Sequence, residues 1–146
     1  MPHSLADLLI HVIFSTKDRL PILDDDLRPK LFPYMAGIVR ERAGKAHIIN
    51  GTKDHVHLLV SVPTSLSAAD LMRYVKGSSS RWIHQELPGR REFGWQRGFA
   101  AFSVSRSRYQ QVYEYIARQE EHHRKSTTKP ISGRSFVSPL PGLGFI

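Results

Sequence analysis

The order of the apolar segments is the feature of this sequence that most restricts its fold. Four segments have the length and the β-branched, aromatic composition of strands, and two longer segments between them carry apolar residues at helical spacing. A third helix-length segment follows the last strand. The predicted strands cover residues 7–16, 46–50, 55–62 and 99–105, and the predicted helices cover residues 24–44, 67–86 and 107–125. The resulting order is β-α-β-β-α-β with one additional C-terminal helix.

This order predicts an α+β protein with the ferredoxin-like, split β-α-β topology, in which an antiparallel sheet carries two helices on one face. Alternate residues of a strand point to opposite sides of the sheet. In strand 55–62 the even-numbered residues are all apolar, whereas His55 and His57 lie on the other side. We expect the apolar side to pack on the two helices and the histidine side to stay open unless the C-terminal helix covers it. His11 would share the histidine face if the strands pair regularly, either as support for a site or as a packed strand residue.

Length and composition limit the organisation and the chemistry of the chain. Its 146 residues suffice for one domain with a hydrophobic core, which we assign to residues 1–125. Residues 126–146 contain recurring proline and glycine and no acidic residue, which predicts a loosely attached basic tail. The absence of cysteine excludes disulfide frameworks, cysteine-ligated zinc and thiol catalysis. Because the sequence has neither a signal peptide nor an apolar run of about 18 residues, we expect a cytoplasmic protein without membrane contact.

The net charge of +8 is unevenly distributed along the chain. Residues 1–71 are neutral, whereas residues 72–125 contain eleven basic and five acidic residues. Nine of those eleven are arginine, whose planar guanidinium suits phosphate. The pattern indicates a polyanionic partner such as nucleic acid, with a generic basic surface as the alternative. The candidate DNA-binding residues combine cations with an aromatic ring and are Arg73, Lys76, Arg81, Trp95 and Arg97.

The candidate metal ligands are His55 and His57, which could bind one divalent ion as neutral imidazoles. Two surface histidines without a ligand would give the same pattern. On the last predicted helix, Tyr115 and Gln119 lie four residues apart and therefore share one stripe. If that helix crosses the histidine face, the stripe presents a phenol and an amide oxygen to the histidines. A core tyrosine is the alternative for Tyr115, and His122 is an alternative third ligand.

Three segments of the sequence resemble the single-tyrosine HUH transposases, which belong to the smallest bacterial insertion sequences and move as single-stranded DNA. The segments are DHVHL at 54–58, GFAAFSVS at 98–105 and YIARQEEHH at 115–123. The resemblance is collinear from about residue 11 to residue 125. A histidine pair alone is a weak signal, but its combination with a Tyr-x-x-x-Gln helix about 60 residues later is specific.

The resemblance implies a role for each motif residue. His55 and His57 would be the metal ligands of the HUH motif, Gln119 the third ligand and Tyr115 the nucleophile. Family members use Mg²⁺ or Mn²⁺, act as homodimers and recognise imperfect hairpins at the ends of the element. The dimer often places the tyrosine of one subunit in the site of the other. The expected reaction is therefore the cleavage and rejoining of single-stranded DNA at insertion-sequence ends, through a 5′-phosphotyrosine and with no small-molecule substrate.

Three other functions fit parts of this pattern. A non-enzymatic single-stranded nucleic-acid-binding protein of the same fold would read bases with aromatic residues on its open sheet face, and strand 55–62 has none there. An HUH nickase of the replication or conjugation type usually carries helicase or primase partners, which we do not expect in a chain of 146 residues. A metal-dependent nuclease that activates water would not need Tyr115.

Overall fold

Four strands form one antiparallel sheet, and helices cover parts of both of its faces. A computed structural model describes residues 6–119 of the chain. The strands are β1 Leu9–Ser15, β2 Lys45–Gly51, β3 His55–Ser61 and β4 Ala100–Ser103, and the helices are α1 Arg28–Glu41, α2 Ala68–Glu86 and α3 Tyr109–Ala117. Short 3₁₀ turns, Lys17–Arg19 and Arg106–Arg108, follow β1 and precede α3. The strand order β2-β3-β1-β4 confirms the predicted ferredoxin-like arrangement with an additional C-terminal helix.

The start of α2 is set by a capping side chain, whereas α1 has no side-chain cap. Ser67 is the N-cap of α2, and its hydroxyl accepts a hydrogen bond from the backbone N–H of Asp70 at 3.0 Å. The carboxylate of Asp24 likewise accepts two backbone N–H groups, at 2.9 and 3.1 Å. Those bonds close a separate turn, so α1 begins at Arg28, a few residues later than predicted.

The main hydrophobic core lies between the sheet and helices α1 and α2. Val56, Leu58 and Val60 of β3 point into this core and are fully buried, as their alternation predicted. They meet buried helix residues, among them Leu31, Met35, Val39, Leu71, Met72, Val75 and Ile83. Burial of each such side chain contributes about 1.5–3 kcal/mol. The core therefore fixes the orientation of β3 and turns His55 and His57 to the opposite face.

Helix α3 packs on that opposite face, over β2 and β3. A second, smaller apolar cluster holds it there. The buried members of this cluster are Leu9, Leu59, Val104, Val112 and Ile116. Residues 120–146, which include the rest of the predicted last helix, His122 and the predicted tail, lie outside the described residues. Within residues 6–119, no helix is both long enough and apolar enough to cross a membrane.

The β2–β3 hairpin brings Gly51 against the backbone of His55. A Cβ at Gly51 would overlap the carbonyl oxygen of His55, so a side chain cannot be accommodated there without displacing the strand. The same carbonyl accepts a hydrogen bond from the backbone N–H of Thr52 at 3.0 Å. This tight turn fixes His55 as the first residue of β3.

Candidate active site

His55 and His57 lie side by side on the α3 face of β3, with ring centroids 5.1 Å apart. Only 4% and 1% of their surfaces are exposed. The Nδ1 of His55 lies 2.8 Å from a carboxylate oxygen of Asp54 and 2.9 Å from the hydroxyl of Thr52. The Nδ1 of His57 lies 2.9 Å from the Nε2 of His11. Because both rings are held through Nδ1, Nε2 is the nitrogen that each can offer to a ligand.

His11 lies in the middle of β1, on the same face as the histidine pair. Its direct partner in the β1–β3 ladder is Leu59, so it meets His57 across the diagonal. The side chain is fully buried, and this burial lowers the pKa of His11 to about 4, which keeps the ring neutral at physiological pH. The sequence left open whether His11 supports a site or only packs, and the structure brings it into direct contact with His57.

Tyr115 projects from α3 toward the same histidines. Its ring meets the ring of His57 edge-on, with 5.8 Å between centroids, and the ring of His11 at 6.2 Å. The side chain is half-buried, so part of it is accessible to a substrate.

The N-terminal end of α3 is tied to the sheet by His47 of β2. One ring nitrogen of His47 lies 3.2 Å from the hydroxyl of Tyr109, the first residue of α3, and the other lies 2.7 Å from the hydroxyl of Ser61. The pKa of His47 is lowered, mainly because the ring is partly buried. This bridge helps to set the position of the helix that carries Tyr115.

Helix α3 ends at Ala117, whereas the sequence predicted an unbroken helix over residues 107–125, of which residues 120–125 lie outside the described residues. The break lies at Arg118, whose φ of −103° and ψ of 18° are not helical. The side-chain amide of Asn50 in β2 donates to the carbonyl oxygens of Ile116 and Ala117, at 3.0 and 3.2 Å. In a continuing helix these oxygens would accept N–H groups from four residues further along. Asn50 therefore caps α3 from the neighbouring sheet.

Gln119 reaches the histidines from the residue after this break. It is 4% exposed, and its Oε1 lies 3.4 Å from the Nε2 of His55. Its Nε2 donates to the carbonyl oxygen of Tyr115 at 3.3 Å, which orients the amide. The structure thus brings together His55, His57, Tyr115 and Gln119, the four residues predicted for catalysis and metal binding.

Two donor atoms of this cluster have the spacing expected for neighbouring ligands of a divalent metal ion. Two neighbouring ligands of an octahedral ion with bonds of about 2.1 Å are about 3 Å apart, close to the 3.4 Å between His55 Nε2 and Gln119 Oε1. An amide oxygen suits Mg²⁺ and Mn²⁺, and imidazole nitrogens favour Mn²⁺ of the two. Residues 6–119 contain no group of three His, Cys, Asp or Glu side chains that could hold a metal ion. The amide of Gln119 would therefore have to complete the histidine pair.

Comparison with known proteins identifies the family. The family described as "Transposase IS200 like" matches residues 4–119. The chain belongs to the IS200-like transposase family. It is similar to the transposase for insertion sequence element IS200 of Salmonella typhimurium, with 22% identity over 151 residues that cover 99% of this chain and 93% of that protein. The ISDra2 transposase TnpA of Deinococcus radiodurans is 25% identical over 116 residues, which cover 76% of this chain and 83% of that protein.

The fold of this transposase is also similar to that of a REP-associated tyrosine transposase bound to a REP hairpin. The TM-score is 0.64 at 12% identity, over 100% of this chain and 96% of the other. Family membership makes the chain a DNA-processing enzyme of the insertion-sequence type. The fold and family predicted from its sequence are therefore both confirmed.

Three of the predicted DNA-binding residues of this transposase are exposed arginines. Arg73 and Arg81 lie on α2, on the sheet face opposite to the histidine pair, and Arg97 lies in the loop before β4. Arg73 forms an ion pair with Asp70 at 3.0 Å. Arginines on α2 cannot contact a nucleotide that is bound at His57, so any DNA they bind would be a more distant part of the substrate.

Lys76 and Trp95 are engaged within the protein. The ammonium group of Lys76 donates to two carbonyl oxygens of the loop before β4, at 2.6 and 2.8 Å, and burial lowers the pKa of Lys76. The Trp95 ring meets Phe14 and Phe93 edge-on at 4.8 Å each, and its N–H donates to the hydroxyl of Ser79. Both residues therefore hold this loop against the body of the transposase.

Sequence reasoning missed the residues that orient the site. Asp54 and Thr52 hold His55, and Asn50 caps α3. A signal for Asn50 was available, because it is the direct partner of His57 in the β2–β3 ladder and therefore shares its face. The predicted hairpin, with strands 46–50 and 55–62, would place Asn50 opposite His55 rather than His57 but on the same face, so the face of Asn50 could have been worked out from the sequence.

Proposed function

We propose that this transposase cleaves and rejoins single-stranded DNA with Tyr115 as the nucleophile and with a divalent ion, Mg²⁺ or Mn²⁺, bound by His55, His57 and Gln119. The observation that carries the proposal is the position of the Tyr115 ring, edge-on to His57 at 5.8 Å. The ring also packs against the smaller apolar cluster, but its edge meets two buried histidines, and the backbone carbonyl of Tyr115 holds the buried amide of Gln119. In an IS200-like transposase this cluster is the best candidate for the reacting centre.

The reaction follows from the groups that are present. The oxygen of Tyr115 attacks the scissile phosphorus as its proton leaves, because a phenol is a weak nucleophile until that proton is lost. A Tyr115–phosphorus bond forms, the bond from phosphorus to the 3′ oxygen breaks, and the 3′ oxygen takes up a proton. When bound, a divalent ion polarises the scissile phosphate and offsets the charge that develops on its oxygens. The 5′-phosphotyrosine keeps one phosphodiester link, so a 3′-hydroxyl can later attack it and rejoin strands without ATP.

The chain's own residues prepare this step. Asp54 and Thr52 orient His55 through its Nδ1, and the carbonyl oxygen of Tyr115 orients the amide of Gln119. The burial of both histidines keeps bulk water away from the ligand positions. Asn50 and His47 hold the two ends of α3, so that Tyr115 is already positioned before DNA binds.

The substrate that fits best is single-stranded DNA with a hairpin. The structural neighbour is bound to a REP hairpin, and the net charge of +8 favours a polyanion. Near the site, Arg118 is exposed beside Gln119, and its contact to Glu114 is long, at 3.9 Å. Arg73, Arg81 and Arg97 would contact DNA further from the cut.

We also propose that the transposase acts as a homodimer, as the resemblance of its motifs implies. In such a dimer Tyr115 could serve the site of its own subunit or that of the partner subunit.

The test is the formation of a covalent protein–DNA complex. A labelled hairpin oligonucleotide is incubated with the protein and Mn²⁺ or Mg²⁺ and then separated on a denaturing gel. We expect a band at the combined mass and a released 3′-hydroxyl fragment, and neither from the same sequence as a fully paired duplex. Cleaved DNA without an adduct would instead indicate a nuclease that uses water, and binding without cleavage would indicate a binding module.

A further inference from the structure

We infer that His11 is a positioning residue, which fixes the tautomer and the orientation of His57 so that the Nε2 of His57 is available to a metal ion. The inference rests on the proposed function, in which His57 is a ligand. It assigns a task to a buried polar residue that lies outside the ligand set and outside the nucleophile.

The backbone on both sides of this contact is fixed. β1 pairs with β3 on one side and with β4 on the other, and His11 lies within both ladders, opposite Leu59 and Phe102. The rings of His11 and His57 are stacked, with 5.1 Å between centroids and an interplanar angle of 29°. Because His11 and His57 are 0% and 1% exposed, water does not compete for their 2.9 Å hydrogen bond.

The direction of this hydrogen bond decides what His57 can do. A histidine that binds a metal through Nε2 must carry its hydrogen on Nδ1. That Nδ1–H needs an acceptor, and the Nε2 of His11 lies within hydrogen-bond distance of it, at 2.9 Å. His11 must then carry its own hydrogen on its Nδ1. Within residues 6–119 this Nδ1 is buried and has no hydrogen-bond partner.

The buried Nδ1 of His11 indicates that this residue supports His57 and does not merely fill space. A residue that only filled space between β1 and Tyr115 would be more favourable as an apolar side chain, because a buried polar atom without a partner destabilises the fold. An apolar residue at position 11 could not provide the hydrogen-bond acceptor that the Nε2 of His11 offers to His57. His55 is held in the same way at its Nδ1, but by Asp54 and Thr52. The two predicted ligands thus have separate orienting partners.

The test compares substitutions that keep or remove the acceptor. The amide oxygen of His11→Gln can reach the Nδ1 of His57, whereas His11→Leu has no acceptor and the shorter His11→Asn falls short. The readout is the affinity for Mn²⁺ without DNA, measured from the electron paramagnetic resonance signal of the free ion. We expect about 10–100-fold weaker binding in the Leu and Asn variants and an affinity within a few-fold of the wild type in the Gln variant.

Val12→Ala is the matched control for lost stability, because Val12 follows His11 in β1 and its fully buried side chain packs in the main core, on the sheet face opposite to the histidines. It should lower the melting temperature and leave the Mn²⁺ affinity of the folded protein unchanged. If the Leu variant does not fold, the contrast between Gln and Asn gives the same answer. Equal Mn²⁺ affinity in all folded variants would overturn the inference about His11 and leave the metal assignment intact. An Mn²⁺ affinity that falls in proportion to the melting temperature would do the same. If the wild type itself binds no Mn²⁺, the metal assignment fails, and the role of His11 fails with it.

Discussion

Replacing Tyr115 by Phe should abolish the covalent protein–DNA complex and lower strand cleavage by at least about 1,000-fold, as expected for the loss of a nucleophile. The substitution removes one oxygen and keeps the ring that packs against His57 and His11. Hairpin binding should therefore stay within about twofold of the wild type, a change of less than about 0.5 kcal/mol. Adduct yield on denaturing gels and binding by fluorescence anisotropy measure the two effects separately.

Tyr113→Phe is the matched control for this experiment. Tyr113 lies on the same helix, is half-buried like Tyr115 and packs beside Tyr109, with 5.9 Å between ring centroids. Loss of the Tyr113 hydroxyl should leave the yield of the covalent protein–DNA adduct unchanged. A persistent adduct in the Tyr115→Phe variant, or its loss only when Tyr113 is changed, would show that the nucleophile has been misassigned.

The second large effect is expected for His57→Ala. The variant removes one of the two proposed imidazole ligands from a buried cluster, so Mn²⁺ affinity and DNA cleavage should both fall by at least about 100-fold. Chelation of the metal should reduce wild-type cleavage to a comparable level. Added Mn²⁺ should restore the chelated wild type and fail to restore the variant at the same concentration.

His84→Ala separates the loss of a ligand from the loss of any histidine. His84 lies on α2, on the other side of the sheet, where its Nε2 bonds the carbonyl oxygen of Phe93 at 2.8 Å. Cleavage by this variant should match that of the wild type. If His57→Ala remained active at low Mn²⁺, the histidine pair would not be a metal site.

Much of the fold could be predicted from the sequence because it rests on local patterns. The alternation in β3 alone determined which side meets α1 and α2, and the order of the elements determined the topology. The start of α2 was predictable because the capping hydroxyl of Ser67 bonds the backbone N–H of Asp70 in the first turn of the same helix. Each of these features depends on residues that are close in the chain.

The features that could not be predicted depend on contacts between distant residues. The end of α3 is set by Asn50, which is 66 positions from Ile116 in the chain. The engagement of Trp95 with Phe14 likewise requires the loop before β4 to fold back onto β1. The support of His57 by His11 depends on a strand register, because a shift of one residue would turn His11 to the other face.

The covalent chemistry is tested most directly by locating the DNA on the protein. The adduct is digested with nuclease and then with trypsin, and the modified peptide is fragmented in a mass spectrometer. Tryptic cleavage after Arg108 and Arg118 releases one peptide that contains Tyr109, Tyr113 and Tyr115, so fragment ions must assign the site within it. We expect the nucleotide mass on Tyr115 alone. A nucleotide on another residue, or cleaved DNA with no modified peptide, would contradict the proposed reaction.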